Sequence, residues 1–455
     1  MTIADLVGVS AVDAVTESIK KARAHESFNA ALSIFEDRAM ARARLVDSGE
    51  VTGRLAGIPF IAKDNFLAIG GPTTAASKFL ASFEAPLQAT AIERLEAEGA
   101  ICIGKANLDA FAHGGSTENS AFGVTTNAID KTKVAGGSSG GSAVVVALGI
   151  VPFALGTDTG GSIRQPASFN GIIGFKPTYG TVSRYGVVAM ASSTDTIGVL
   201  ASSIDDTELV MSLMAGKDDK DMTTLPDFWQ AHKLDRQLKV GLITESMTDD
   251  VDAPVRGAVE AYAEALKEKG HTVDGVSMKM LKYALAMYYV VVPAEISSNL
   301  GRYDGIRYGR RAAAESLAEL YGKSRDEGFE AENKRRIMVG SYVLSSGYFD
   351  AYYLQAQKAR TLLINEFNDL FSRYDVLIMP TAPTTAFAIG ENVHDPVKMY
   401  LADIMTVPAS LAGLPAISVP AGIDDSGMPI GIQLIGRRRD DTLLLALARQ
   451  MEGSE

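Results

Sequence analysis

The sequence predicts an α/β protein whose helices pack on a mixed or parallel sheet. Three observations predict it. Apolar runs of strand length alternate with stretches of helical period, glycines stand between them as stops, and strand-like runs recur in the first and last thirds of the chain. "SAVDAVTESIKKARAHE" (Ser10–Glu26) opens the series as a helix, with Ser10 placed to cap it and Val12, Val15 and Ile19 on one face. "LAGIPFIAKDNF" (Leu55–Phe66) reads as a short buried strand leading to a polar turn at Lys63-Asp64-Asn65. "ATAIERLEAEGAICIGKAN" (Ala89–Asn107) gives a helix, a glycine stop and another strand. The charged, turn-rich "GKDDKDMTTLPDF" (Gly216–Phe228) reads as a surface excursion. "LKVGLI" and "DAPVRGAVEAYAEALKEKGHTV" follow as a β-α-β unit, in which Asp252 suits the N-cap, Pro254 the first turn and Gly270 the stop. Residues at roughly 280–370 carry a mostly helical pattern, and "DVLIMPTAP", "AISVPAG" and "PIGIQLIG" return to strands. Both ends read as pieces of one sheet, so the expected organisation is a single domain, 1–455, with that helical stretch as an insert.

Composition excludes several functions. A formal net charge of −12 argues against this chain being the main nucleic-acid surface, since phosphate binding needs clustered Lys and Arg. The short basic runs Lys334-Arg335-Arg336 and Arg437-Arg438-Arg439 read as solvated faces. The single cysteine, Cys102, sits in an apolar strand and has no internal disulfide partner, which fits a reducing compartment. The longest apolar run, near Ala143–Leu155, falls short of the roughly 20 residues a membrane span needs, and the first residues lack a basic signal-peptide region. A cytoplasmic location is expected. The five histidines are scattered without metal-ligand spacing, so no metal is expected.

Chemistry concentrates on two glycine-serine turns, "VAGGSSGGSAVVV" (Val134–Val146) and "GTDTGGSIRQP" (Gly156–Pro166). Neither cradles phosphate by pattern: no Lys-Ser/Thr pair follows the last glycine of the first, and the second lacks G-x-G-x-x-G. Nucleophilic catalysis fits better. A lysine can replace histidine as the base if it is kept neutral, which requires a depression of about three units, or roughly 4 kcal/mol against the ammonium. Lys63, directly after "GIPFIA", is placed for such burial; the alternative is a surface lysine in a turn. Consecutive N–H groups of "TGGS" (Thr159–Ser162) are free of obstructing side chains and suit a developing oxyanion.

The block "GGSSGGSAVVVALGIVPFALGTDTGGSIRQPASFNGIIGFKPT" (Gly136–Thr178) closely resembles the amidase signature, and "GIPFIAKDNF" resembles that family's lysine segment. The resemblance covers nearly the whole chain. It implies the amidase signature fold, a large twisted mixed sheet covered by helices on both faces. It also implies a Ser–Ser–Lys triad: Ser162 as nucleophile, Lys63 as base, and Ser138, on a cis peptide, relaying the proton between them. Thr159, Gly160 and Gly161 would supply oxyanion donors, and Ser139 a supporting hydrogen bond.

"NLDAFAHGGSTENSAFG", "AEISSNLGRYDGIRYG" and "DPVKMYLADIMTVPASLAGLPAISVPAG" are similar to one branch of the family, the A subunits of glutamyl-/aspartyl-tRNA amidotransferases. That branch implies a glutaminase passing ammonia to a partner. The B and C subunits of such an amidotransferase would complete a heterotrimer, aminoacyl-tRNA would lie mainly on the B subunit, and ATP and Mg would be held by the partner rather than by this chain. Free glutamine carries an ammonium and a carboxylate. The resemblance places Asp403 and Arg336 opposite them, with Tyr288 lining the pocket; a helix Asp, a solvated Arg and a packed Tyr are the alternatives. His113 departs from the methionine usual at its position. A free-standing amidase using the same triad, or a non-catalytic assembly protein on this scaffold, are the competing readings.

Overall fold

The computed structural model describes residues 1–226 and 228–452. Its strands are β1 (Ala31–Ile34), β2 (Pro59–Lys63), β3 (Ile101–Ala106), β4 (Phe153–Asp158), β5 (Ile173–Lys176), β6 (Thr196–Ala201), β7 (Lys239–Ile243), β8 (Thr272–Val276), β9 (Val376–Pro380), β10 (Ala416–Ile423) and β11 (Pro429–Gly436). They form one mixed sheet of eleven strands in the order β1-β3-β2-β4-β6-β5-β10-β11-β9-β7-β8. Two parallel wings, β3-β2-β4 and β9-β7-β8, flank an antiparallel centre. Sequence from both ends of the chain thus shares one set of ladders.

The strands β2, β3 and β4 of the first wing are buried along their length, which is why they read as continuous apolar runs rather than alternating ones. Alternation still sorts their faces. Phe60, Ala62, Cys102, Phe153 and Leu155 join one core cluster, while Ile61, Ile101, Ile103 and Ala154 join another on the opposite face. The helix Gly140–Ala147 lies on that second face and is buried all round, so it has no polar stripe to show in sequence. Cys102 is sealed in β3, and burial pushes its thiol up to about 11, well away from thiolate chemistry.

Ser10 caps the first long helix by accepting from Asp13 N–H, and Val15 and Ile19 are buried beneath it. In the β-α-β unit the helix runs Ala253–Glu268, with Pro254 in its first turn and Gly270 at positive φ beyond its end. The excursion at Gly216–Phe228 is more firmly held than a solvated loop: Asp218 accepts from Ser183 Oγ and Thr90 Oγ1, and Asp221 accepts from the Arg184 N–H. Residue 227, within that stretch, lies outside the described residues.

The helical stretch connects β8 to β9 through the helices Leu281–Asn299, Leu317–Gly328, Ala331–Val343 and Leu354–Phe371. Its first and third helices meet closely at Gly340, where a Cβ would stand 1.9 Å from the Pro293 carbonyl oxygen. Only glycine admits that approach. One turn before this contact on each helix stand Arg336 and Tyr289, and the approach presses the guanidinium against the ring.

Candidate active site

Lys63 ends β2. Phe60 and Ala62 face one core and Ile61 the other, so Lys63 follows Ile61 toward the helix Gly140–Ala147. Its side chain is fully buried, and Nζ lies 2.8 Å from Ser138 Oγ, 2.8 Å from Ser139 Oγ and 3.0 Å from Thr157 Oγ1. Loss of solvent is the largest influence on the amine. It pulls Lys63 from 10.5 down to about 7, against the opposing pull of Asp109, Asp158 and Asp195. The polar turn after it is likewise buried rather than solvated. Asp64 is paired with Lys105 Nζ at 2.8 Å, and Asn65 Nδ2 donates to Thr157 Oγ1 at 3.1 Å. Partners inside the fold replace water there, which the local sequence does not reveal.

Ser138 follows a cis peptide at Gly137–Ser138. Ser139 holds the N-cap position of the helix Gly140–Ala147, yet its hydroxyl caps no helical N–H. It turns to Lys63 instead, and its own proton is directed at Thr157 O, 3.3 Å away. The two glycine-serine turns touch through main chain, where Ser139 N–H donates to Ser162 O at 3.1 Å. Ser162 is 8% exposed whereas Lys63, Ser138 and Ser139 are at 0%, so the outermost hydroxyl of the group is Ser162. Among the described residues, Ser162 Oγ makes no hydrogen bond, and the N–H groups of Gly160, Gly161 and Ser162 have no protein acceptor.

That turn is clamped at both ends. Asp158 and Arg164, both fully buried, pair across it at 2.8 Å, and Arg164 also reaches Ser410 Oγ and the Thr406 carbonyl. At its start Thr159 Oγ1 donates to Asp195 Oδ1 at 2.8 Å, and Asp195 accepts from the N–H groups of Met190 and Ala191. Gly160 lies against Tyr288 of the helix Leu281–Asn299, where a Cβ would stand 2.7 Å from the phenol. Glycine here lets the ring cover the turn.

Arg336, Tyr288 and Asp403 are all buried. Arg336 therefore departs from the solvated-face reading of its basic run, whereas Arg437-Arg438-Arg439 is exposed. Its Nε donates to Glu332 Oε1 at 2.8 Å, and its guanidinium stands 5.4 Å from the Tyr289 ring centre and 5.7 Å from that of Tyr400. Asp403 spans the gap between pocket and turn: a Cβ on Gly115 would stand 3.5 Å from its Oδ2, and one on Gly161 3.3 Å from its Oδ1. Among the described residues Asp403 Oδ1 has no partner, and burial lifts the carboxyl to about 7 although Arg336 opposes it. Beside these groups opens a cavity of about 190 Å³, lined by Asp109, His113, Gly115, Arg336 and Tyr400 among others. Arg336 lines it directly, and Asp403 stands behind its Gly115 wall. Among the described residues no cluster of three or more His, Cys, Asp or Glu is arranged to hold a metal.

Sequence reasoning passed over Thr157, Asp195, Glu332 and Tyr400. Two carried a local signal. Thr157 stands two residues before Thr159 at the end of β4, and Glu332 precedes Arg336 by one helical turn, the spacing of a helical ion pair. Asp195, just before β6, and Tyr400, in the short helix Pro396–Leu401, reach the site from distant parts of the chain and had none.

The sequence matches the family described as Amidase over residues 13–445. The A subunit of a glutamyl-tRNA(Gln) amidotransferase from Thermosynechococcus vestitus is 50% identical over 441 residues, 95% of this chain and 92% of that one. Among solved structures, the glutamyl-tRNA(Gln) amidotransferase A subunit from Thermotoga maritima superposes with a TM-score of 0.83 at 38% identity, covering 99% of this chain and 94% of its own. A crystal structure of an amidase superposes at 0.84 with 30% identity, each chain covered completely.

Proposed function

The chain belongs to the amidase family, and on that basis we propose that it is the glutamine-hydrolysing subunit of a tRNA-dependent amidotransferase. The observation that carries the reading is the Lys63 amine, sealed from water and 2.8 Å from the hydroxyls of Ser138 and Ser139, beside the turn that bears Ser162.

A neutral amine has two hydrogens and one lone pair. Lys63 donates to Ser139 Oγ and Thr157 Oγ1, and its lone pair receives the Ser138 hydroxyl proton. Ser138 then takes the proton of Ser162 as that oxygen bonds to the side-chain carbonyl carbon of glutamine. The carbonyl oxygen gains negative charge and meets the N–H groups of Thr159, Gly160 and Gly161, with Thr159 held in place through its hydroxyl by Asp195. The carbon–nitrogen bond breaks as Lys63, through Ser138, returns the proton to the leaving nitrogen. Ammonia departs and an ester remains on Ser162. Water, activated by the same relay, releases glutamate and restores the hydroxyl. Asp403 receives the substrate ammonium and Arg336 its carboxylate, which orients the amide over Ser162.

Relatives named as the A component of an amidotransferase support assembly with partners. The B and C subunits would complete a heterotrimer in the cytoplasm. The B subunit would bind Glu-tRNA(Gln), Asp-tRNA(Asn) or both and hold ATP and its magnesium, while the acidity of this chain leaves tRNA to it. No described helix is long and apolar enough to cross a membrane.

The test is Ser162→Ala in the reconstituted complex. Glutamine hydrolysis and glutamine-dependent transamidation are expected to vanish while transamidation with free ammonia persists. Loss of the ammonia-dependent reaction as well would overturn the assignment. Hydrolysis of a small carboxamide by the chain alone, with no capture of the B and C subunits, would instead favour a free-standing amidase.

A further inference from the structure

The mechanism leaves one buried group of the pocket unused. His113 follows the short turn Ala110–Ala112 and is fully buried. On the helix Ala331–Val343, Asn333 Nδ2 donates to the Ala110 carbonyl at 2.8 Å and lies 2.7 Å from His113 Nδ1. An amide nitrogen has two hydrogens and no acceptor capacity, so His113 Nδ1 accepts and the ring proton resides on Nε2. The reverse amide orientation would set two carbonyl oxygens against each other. Burial, reinforced by the charge of Arg336, holds His113 well below 6.5, so the ring is neutral. His113 Nε2 is then an N–H donor with no partner among the described residues, on a ring that lines the cavity it shares with Arg336. Buried donors are rarely left unsatisfied.

We infer that His113 Nε2–H donates to the carboxylate of the bound substrate beside Arg336, making His113 a specificity-determining residue for amides that carry an α-carboxylate. The inference rests on the glutaminase reading. It adds to it a second, uncharged contact at the carboxylate end, from a segment remote from the helix that carries Arg336. The guanidinium supplies charge, whereas the imidazole, held by Asn333, supplies a fixed direction.

The experiment compares L-glutamine with L-glutamine α-amide, which keeps the reacting side chain and lacks the carboxylate, in the complete complex. His113→Met removes the donor at similar size, and His113→Gln restores one. For glutamine, kcat/KM is expected to fall about tenfold or more in His113→Met and to recover most of that loss in His113→Gln. For the α-amide the three forms should agree within about threefold, which also reports that the variants are folded. Equal losses on both substrates, or an unaltered glutamine profile in His113→Met, would overturn the inference and leave the function standing. A wild-type complex that does not hydrolyse glutamine would overturn both.

Discussion

The sheet wing β3-β2-β4 and the helical connection between β8 and β9 meet at one site but are built on opposite terms. The wing supplies Lys63, Ser138 and Ser162 from a stretch of 100 consecutive positions, Lys63 to Ser162, with the first two fully buried. The helical connection supplies Tyr288 and Arg336 on its inner side while its outer side exposes Tyr342, Tyr348, Phe349 and Tyr352 to solvent. Each part of the function therefore has its own kind of support. Bond making is fixed by rigid ladders and by burial that retunes an amine. Recognition is composed from helix faces and loops whose members lie far apart in the chain.

Four perturbations probe that division. The largest effect is expected from Lys63→Met, which removes the base while preserving the apolar stem. Glutaminase kcat should fall by about 10⁴, with glutamine binding retained by isothermal titration. Next is Gly160→Ala, where the two regions touch. The added methyl meets Tyr288 at 2.7 Å and should displace the oxyanion turn, lowering kcat by about 10². Pairing it with Tyr288→Ala should recover part of that loss, because the collision is with the ring; no recovery would detach the helix from the turn. Arg336→Met acts on recognition alone in this picture. It should raise the glutamine KM by about thirtyfold with a smaller change in kcat. A fall in kcat equal to that of Lys63→Met would erase the distinction between the regions.

The mildest test is pH. With Lys63 as the proposed base and its amine drawn down to about 7, kcat at saturating glutamine, where the bound ammonium holds Asp403 ionised, should rise with pH through that value and level off above it. One unit below the midpoint the rate should be about tenfold under the plateau. Activity that climbs on toward 10 would mean that the amine is not desolvated.

The same contrast governs what could be read in the sequence. The Ser–Ser–Lys triad came from the family resemblance, carried by short glycine-rich segments, and the structure brings Lys63 to Ser138 with Ser162 on the adjoining turn. Lys63 after "GIPFIA" could be read as buried or as a surface lysine in a turn, and the structure seals it. Asp64 and Asn65 read only as a polar turn, because the Lys105 and Thr157 that compensate their burial are supplied by other strands. Arg336 was ambiguous for the same reason. Its neighbours Lys334 and Arg335 do face outward, and although Glu332 stands one turn before Arg336, nothing local tells that Tyr289 and Tyr400 enclose the third member of the run. Resemblance to a family placed Arg336 and Asp403 in the pocket where spacing could not. The connectivity of the sheet, with an antiparallel centre between parallel wings, was not derivable from alternation, since pairing depends on which distant strands meet.

Sealing the base from solvent has a consequence for the state of the product. A proton lifted from the attacking hydroxyl can travel nowhere except back along the same two side chains to the nitrogen as it is expelled. Each acylation is therefore neutral overall, and what leaves the scissile carbon is uncharged NH₃, its lone pair intact. In the proposed reaction ammonia therefore leaves this site already in its nucleophilic form.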